Sequence, residues 1–485
     1  MLKRYFGPRI HQGLHFFVLS LFIVGVVCSK FLMSMGLLLG VLNLLLEGDF
    51  YTYWERIKTN KFILFILAFY ALHLLGFLWT SNMDYGLDDV RKKTSLLLIP
   101  IIVGAQPMLG PKRWQRLIRY FLLTLVITAV ANLIAYHFFA EKLNLIDIRD
   151  MSLFGSHIRY GILIGIGLAF CVERIYHQTK HRAWYVITAG FFLVYTFYSQ
   201  VLSGIISVAI VLLALMTFVL YMKRLFGLLA LSSFIALGGI IALCYYLSFP
   251  VQYPTPCVEQ YDQMEAAWNK RSDLNYDSLD KRNQPLKATL ERYLSSKGLC
   301  ANKRGVLSLT NEDIQFIETG FADVHQTFGG IQARLLDIRY QLHHAQNPSG
   351  HSILERLEYW KNAWAIIEQH WLMGVGTGDV DDAMQAMYDK RHSPLTKERR
   401  LRAHNSYLTY YLTFGIFGFL FFVYFQLKFI IQQIKWQQAV GMLFGIIALV
   451  TFLFEDTLES QMGITLFAFF YAVFSRKIST KQIRP

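Results

Sequence analysis

Long apolar runs separated by short basic gaps dominate this chain and leave few folds open to it. Runs near 14–29, 31–46, 62–80, 95–109, 117–139, 158–173, 184–200, 204–222 and 225–249 come first, and three more follow a long hydrophilic stretch, near 405–425, 439–454 and 461–475. A helix needs about 20 residues to cross the hydrocarbon of a bilayer, and most of these runs approach that length. Inside lipid no water satisfies the backbone N–H and C=O groups, so each crossing has to be helical. The expectation is an all-α polytopic membrane protein with about twelve transmembrane helices. Only 16% of the 485 residues are charged, few for a soluble chain of this size. A formal charge of +14 would otherwise point to nucleic acid. The cations, however, sit between apolar runs, where membrane topology places them. No cleavable signal peptide is expected, because the first run has no small-residue cleavage site and passes at once into the next.

The basic gaps also orient the chain. With both termini in the cytoplasm of a bacterial inner membrane, the inner gaps hold Lys3, Arg4 and Arg9, then Arg56, Lys58 and Lys61, then Lys112, Arg113, Arg116 and Arg119. The outer gaps are acidic, with Asp84, Asp88 and Asp89 near the start and Glu455, Asp456 and Glu459 near the end. One cluster breaks the rule. Arg91, Lys92 and Lys93 fall outside, which requires either a different span count or a specific task for them. The expected organisation is an N-terminal bundle over 1–249, a large periplasmic loop over 250–403 and C-terminal transmembrane helices over 404–485. The loop is too long for a simple connection and reads as helical. One helix starts at Pro285 and stops at Gly298, another opens on the cap-like Thr310-Asn311-Glu312-Asp313, and a third carries Ile331, Leu335, Ile338 and Leu342 at helical spacing.

Chemistry-bearing residues concentrate between His351 and Gly418. Ile353, Leu357, Trp360, Trp364, Ile367 and Trp371 alternate in steps of four and three, the pattern of one helix face. Arg356 lies off that stripe, beside Tyr359. The glycine-rich Gly374-Val375-Gly376-Thr377-Gly378-Asp379 follows, a turn able to expose backbone N–H groups. No Gly-Lys-Ser/Thr succeeds it, so it is not a nucleotide loop, and by themselves the glycines also read as a helix stop. A basic run ending in Arg402 leads to His404 and Asn405 at the threshold of an apolar run. Cations, an imidazole and amide donors thus gather at a membrane surface, a setting for a phosphate-bearing lipid. Position alone leaves other readings open: His404 as an interfacial histidine bonded to backbone, Arg356 as a solvated helix residue, Arg159 as a snorkelling anchor. No His, Cys and acid set has the spacing of a metal site.

Three segments together resemble the O-antigen ligase and polymerase superfamily. They are Arg356-Leu357-Glu358-Tyr359-Trp360, Gly374 to Asp379, and Arg402-Ala403-His404-Asn405-Ser406-Tyr407 with Gly415 and Gly418. Ser295 to Leu299 and Asp84 to Asp89 resemble its Bacteroidetes branch. The resemblance implies a metal-independent, inverting glycosyltransferase without a cofactor. Such an enzyme moves a glycan from an undecaprenyl-diphosphate donor to a hydroxyl of a glycolipid acceptor such as lipid A-core. It implies central roles for His404 and Arg356, with Asn405 and Tyr359 supporting them. Arg159, Arg402, Gly376 and Gly378 are the residues expected to meet the donor phosphates. A further arginine of the family pattern is replaced here by Leu202, within Ser199-Gln200-Val201-Leu202-Ser203-Gly204, and Arg159 is the candidate substitute. Polymerase activity of the same superfamily and transfer to a protein are the neighbouring readings. A secondary transporter is the alternative of another class, although the paired halves typical of transporters are not visible. In an oxidising periplasm Cys257 and Cys300, the cysteines outside apolar runs, are expected to form a disulfide.

Overall fold

The computed structural model describes residues 7–143, 145, 148–177, 181–250, 261–282, 284–325, 330–343, 348–349 and 351–478. Among them every regular element is helical, apart from an isolated bridge between Leu279 and Pro285. Helices α1 (Pro8–Cys28) and α2 (Lys30–Glu47) meet at Ser29, whose hydroxyl accepts the Leu32 N–H at 3.3 Å and caps α2. The short α3 (Phe50–Lys58) leads to α4 (Lys61–Leu75), capped by Asn60 and prolonged by the 3-10 turn Gly76–Trp79. Then come α5 (Met83–Lys92), α6 (Thr94–Ala105), α7 (Pro111–Phe139), α8 (His157–His177), α9 (Arg182–Ser199), α10 (Leu202–Met222) and α11 (Phe226–Leu247). The hydrophilic insert carries α12 (Tyr261–Trp268), α13 (Leu286–Ser296), α14 (Lys303–Leu307), α15 (Asn311–Glu318), α16 (Gly330–His343), α17 (Ser352–Gln369) and α18 (Val380–Lys390). Helices α19 (Ser406–Trp436), α20 (Ala439–Thr451) and α21 (Gln461–Val473) close the chain.

Among the described residues, seven helices are long and apolar enough to cross a membrane: α1, α2, α4 with its 3-10 extension, α7, α10, α11 and α19. Helices α6, α8, α9, α20 and α21 coincide with the remaining apolar runs of the sequence. The chain is a polytopic helical membrane protein.

Apolar composition does not decide where each helix sits. Helix α21 buries every residue from Met462 to Ala472, packed among α1, α4, α6 and α20. Helix α11 is as apolar and buries none, so apart from its contacts with α10 and α16 its surface is left to lipid. Its end is tied down from the insert: Arg339 donates to the carbonyls of Phe249 and Pro250, each at 3.0 Å, and its guanidinium lies 4.4 Å from the Tyr246 ring centroid.

Two helices approach unusually closely. Gly161 and Gly165 of α8 face Gly204 and Ser207 of α10, and a Cβ on Gly161 would lie 2.7 Å from the Gly204 Cα. Small residues one turn apart let membrane helices gain dispersion contact over their backbones. Ser203 of α10 adds a hydrogen bond to the Ile158 carbonyl at 3.0 Å. The start of α10, with Leu202, is thereby fixed against the start of α8, with Arg159.

The insert has its own core, in which Trp268, Leu290, Tyr293, Leu294 and Ile317 are buried together. The expected helices near Pro285 and Thr310 are present, with Pro285 at the N-cap of α13 and a Thr310–Asp313 capping box on α15. Burial opposes the Asp313 charge. Bonds from Lys297, Thr310 and Tyr293 outweigh it and hold the carboxyl at about 2. Cys300 is disulfide-bonded while Cys28, Cys171 and Cys244 are free; Cys257 lies outside the described residues.

The apolar stripe along α17 is not uniformly buried: Leu357 is 45% and Trp364 51% exposed, as is Trp371 just past the helix at 55%. The buried residues of the helix are Tyr359, Asn362, Ala363, Ile366 and, from the stripe, Ile367. Tryptophans at the end of a membrane bundle also serve as interfacial anchors, and a stripe of them has the periodicity of a core stripe.

The Gly161–Gly204 contact makes a prediction. Gly161→Leu overpacks it and should cost about 1–3 kcal/mol or more, read as a lower melting temperature or a lost monodisperse peak in detergent. An unchanged melting temperature would mean that the two helices do not meet there.

Candidate active site

His404 stands just before α19, where the insert re-enters the bundle. Its φ of 47° is left-handed, which turns the chain sharply into the helix. Asn405 caps α19, its side-chain oxygen accepting the N–H groups of Tyr407 at 3.0 Å and Leu408 at 3.2 Å. Ser406 binds the connection between α20 and α21 twice, to the carbonyls of Phe452 at 2.8 Å and Glu455 at 2.9 Å. On the other side Trp360 of α17 donates to the Ala403 carbonyl at 2.9 Å. The Tyr359 hydroxyl donates to the Arg399 carbonyl at 2.8 Å, and its ring lies 5.7 Å from the imidazole. His404 is thus held between α17 and the 452–460 connection.

Glu455 from that connection is the anion of the site. Arg356 of α17 places Nη2 3.9 Å from its Oε2. His404 and Arg159 also act on this carboxylate. Asp456, next in the chain, accepts the backbone N–H of His404 and the Thr409 hydroxyl, the latter at 2.8 Å. The structure therefore brings together His404, Arg356 and Arg159, although Arg159 belongs to a distant part of the sequence. Leu202 sits on the helix that packs on Arg159's own, so the two positions are neighbours. Among the described residues, His404 Nδ1, Glu455 Oε2, Asp456 Oδ2 and the Nε atoms of Arg356 and Arg159 are buried without a hydrogen-bond partner. Each such atom costs about 1–3 kcal/mol, and their concentration in one place marks a site that a polar ligand completes.

Burial and the Arg356 and Arg402 charges hold His404 below its ordinary range, with Glu455 and Glu355 pulling the other way. Burial raises Glu455, against the pull of His404 and Arg356. Burial thus favours the neutral imidazole beside Glu455.

Arg402 belongs to a second network. Its Nη1 pairs with Glu459 and its Nε lies 3.2 Å from Asp381. Buried Lys93 joins Glu459 at 3.0 Å to Asp89 at 2.6 Å. This accounts for the outer basic cluster that broke the charge rule: Lys93 is an internal counter-ion, while Arg91 and Lys92 pair with Asp88. It also ties Arg402, expected to meet the donor phosphates, into ion pairs with two carboxylates of the protein, although its buried Nε has no hydrogen-bond partner among the described residues.

The reading of the glycine turn is corrected. The N–H groups of Val375 and Gly376 go to the carbonyls of Leu412 at 2.8 Å and Thr413 at 3.0 Å, and that of Gly378 goes to the Thr80 hydroxyl at 3.2 Å. No donor of Gly376 or Gly378 remains for a phosphate. The glycines serve close packing instead: Gly376 has φ 97°, and a Cβ on Gly378 would meet the Asn82 carbonyl at 2.1 Å.

The O-antigen ligase family model matches residues 184–423, which include Arg356, the glycine turn and His404. The chain belongs to the O-antigen ligase superfamily. No curated protein matches it. The enzymes of this superfamily are membrane-embedded and of ligase or polymerase type. In this O-antigen ligase superfamily member, Arg159 and Glu455 lie outside the matched segment, and it is the fold that brings them to His404. In the sequence Glu455-Asp456 could be paired carboxylates, a pattern that a hydrated outer turn explains as well, and nothing local ties them to His404.

Burial would raise Glu459, but Arg402 and Lys93 prevail and hold it at about 2. Its ionised form therefore stabilises the fold fully above the ordinary 4.5, and that contribution fades as pH falls toward 2. Glu459→Gln leaves two buried cations underpaired and should destabilise the protein by about 3–5 kcal/mol. The loss should be visible at pH 7 and much smaller near the acid limit. Equal melting temperatures at pH 7 would refute the network's role.

Proposed function

We propose that this enzyme transfers a glycan from an undecaprenyl-diphosphate donor to a hydroxyl of a glycolipid acceptor, of lipid A-core type, at the outer face of the bacterial inner membrane. The observation that carries this reading is the set of unpartnered buried polar atoms on His404, Glu455, Arg356 and Arg159, assembled where the hydrophilic insert meets the bundle. The acceptor oxygen attacks the anomeric carbon as the bond from that carbon to the diphosphate oxygen breaks. The electron pair leaves with the diphosphate, and direct displacement inverts the anomeric configuration. His404, neutral and desolvated, takes the hydroxyl proton, and Glu455 stabilises the imidazolium that forms. Arg356 and Arg159 meet the growing diphosphate charge with planar donors already in place. A lipid diphosphate is an activated leaving group, and two guanidinium groups supply the positive charge, so the proposed transfer uses neither a nucleotide nor a metal.

The reading places both termini in the cytoplasm and the insert in the periplasm, where a Cys257–Cys300 bridge would form. A membrane-impermeant thiol reagent applied to unreduced cells should leave both cysteines unlabelled. Labelling of both would remove the bridge, and labelling only after the inner membrane is opened would invert the topology.

His404→Ala should abolish transfer by a correctly inserted protein. Arg356→Lys keeps the charge but loses the planar fork and should lose at least about tenfold in kcat/KM. Wild-type rates from either variant would sink the assignment. Because the His404 imidazole is held below its ordinary 6.5, the rate should stay flat as pH falls through 6.5. Its acid limb should lie lower, and Glu455→Gln should move that limb lower still. An acid limb at or above 6.5 contradicts a desolvated base. In a deletion strain the proposed activity predicts long lipid-linked chains that fail to reach the acceptor. Acceptors bearing single repeat units would instead make the enzyme a polymerase.

A further inference from the structure

The end of the bundle away from His404 holds a second polar cluster. Helix α21 starts beside Glu459 and, at 13 residues, carries the chain about 20 Å from it. At its far end Arg476 donates to the carbonyls of Gln106, at 2.8 Å, and Gly104. Arg56 donates to the Ala105 carbonyl at 2.7 Å, and Arg113 to that of Gln12 at 3.1 Å. Capping the open carbonyls of α6 explains the bonds of Arg476 and Arg56 but not the accumulated charge. Among the described residues none of these three arginines pairs with a carboxylate.

Beside them a cleft opens between α1, α6, α7 and α21. Its walls are largely apolar, including Leu19, Val103, Leu109 and Trp114, and His15 and Arg476 line it with polar groups. His15 is only 4% exposed yet forms no hydrogen bond with any described residue. The charges that act on it, Arg476 and Arg113, are both positive.

We propose that this cleft binds an anionic phospholipid, its phosphate between His15 and Arg476 and the start of an acyl chain against Leu19, Val103 and Leu109. An uncompensated guanidinium in a low-dielectric setting favours an anion, and a phosphate offers the acceptor that His15 lacks and the counter-charge that Arg476 lacks. Basic pockets between membrane helices recognise lipid headgroups by this chemistry. The apolar wall selects a lipid over a free anion, since inorganic phosphate has nothing to place there. The proposal goes beyond glycan transfer and does not rest on it.

The full-length protein in detergent can be titrated with dioleoylphosphatidylglycerol, dioleoylphosphatidylcholine and inorganic phosphate, following bound lipid by native mass spectrometry and the melting temperature in parallel. The glycerol lipid should bind one to one and raise the melting temperature saturably, and the other two ligands should not. His15→Leu and Arg476→Gln should each weaken that binding at least about tenfold. Arg476→Gln also removes caps from α6, so if it misfolds, His15→Leu decides alone, because His15 gives up no hydrogen bond. Undiminished binding by His15→Leu overturns the proposal, as does equal binding of the choline lipid. A shift reproduced by inorganic phosphate alone makes this an anion site and not a lipid site, which overturns it as well.

Discussion

The Glu459 carboxylate holds together segments that the chain keeps far apart. Lys93 at the α5–α6 junction, Arg402 ahead of α19 and the α20–α21 connection meet on it, and Arg402 brings in Asp381 of α18. With Asp89 included, three carboxylates surround two cations, Asp381 at the exposed edge of the set. Burial and the Glu459 charge push the next carboxyl, Asp456, up to about 6. Asp456 is also the group that accepts the His404 backbone N–H. The network that closes the bundle thus touches His404 through one residue. The position of His404 is therefore a consequence of how these charges are neutralised, as well as of its own helix cap.

The glycines add a second constraint. Gly415, with φ 66°, interrupts α19 and turns the carbonyls of Leu412 and Thr413 outward, where Val375 and Gly376 donate to them. Ile416 closes the break by donating to the Trp371 carbonyl at 2.9 Å. A broken helix at membrane depth is tolerated where other protein groups satisfy the freed backbone. The turn after α17 does that here. It locks α17, which carries Arg356, to the helix that His404 precedes, so the two residues keep their separation without touching each other.

Much of this was legible in the sequence wherever the signal is local. Apolar runs became helices, Pro285 and Thr310 marked real helix starts, and Arg356 and His404 stood out by motif. Burial rank was not legible, because α11 and α21 are equally apolar and differ only in neighbours. The α17 stripe marks a helix face without saying whether it is buried, because interfacial tryptophans share the period of a core face. The glycine turn misled because spacing shows where N–H groups are free to point, not which carbonyls they find. Lys93 and Glu459 pair across 366 positions, and Glu455 joins His404 only once α20 and α21 are in place. No local pattern records either.

In the proposed reaction the loose geometry around Glu455 has a use. At 3.9 Å, Arg356 and Glu455 attract without a well-formed hydrogen bond, and both keep unpartnered buried atoms. A tight pair would give the guanidinium a partner that a diphosphate must displace. A bare guanidinium in a low-dielectric pocket would carry a large desolvation penalty before the donor arrives. A carboxylate shared by Arg356, Arg159 and His404 avoids both extremes. It keeps the arginines charged and aimed while the donor is absent. Once the diphosphate takes them over, Glu455 is left with His404, whose imidazolium needs a counter-charge only in the transition state. The stabilisation then falls on the step that moves the proton and not on the resting site.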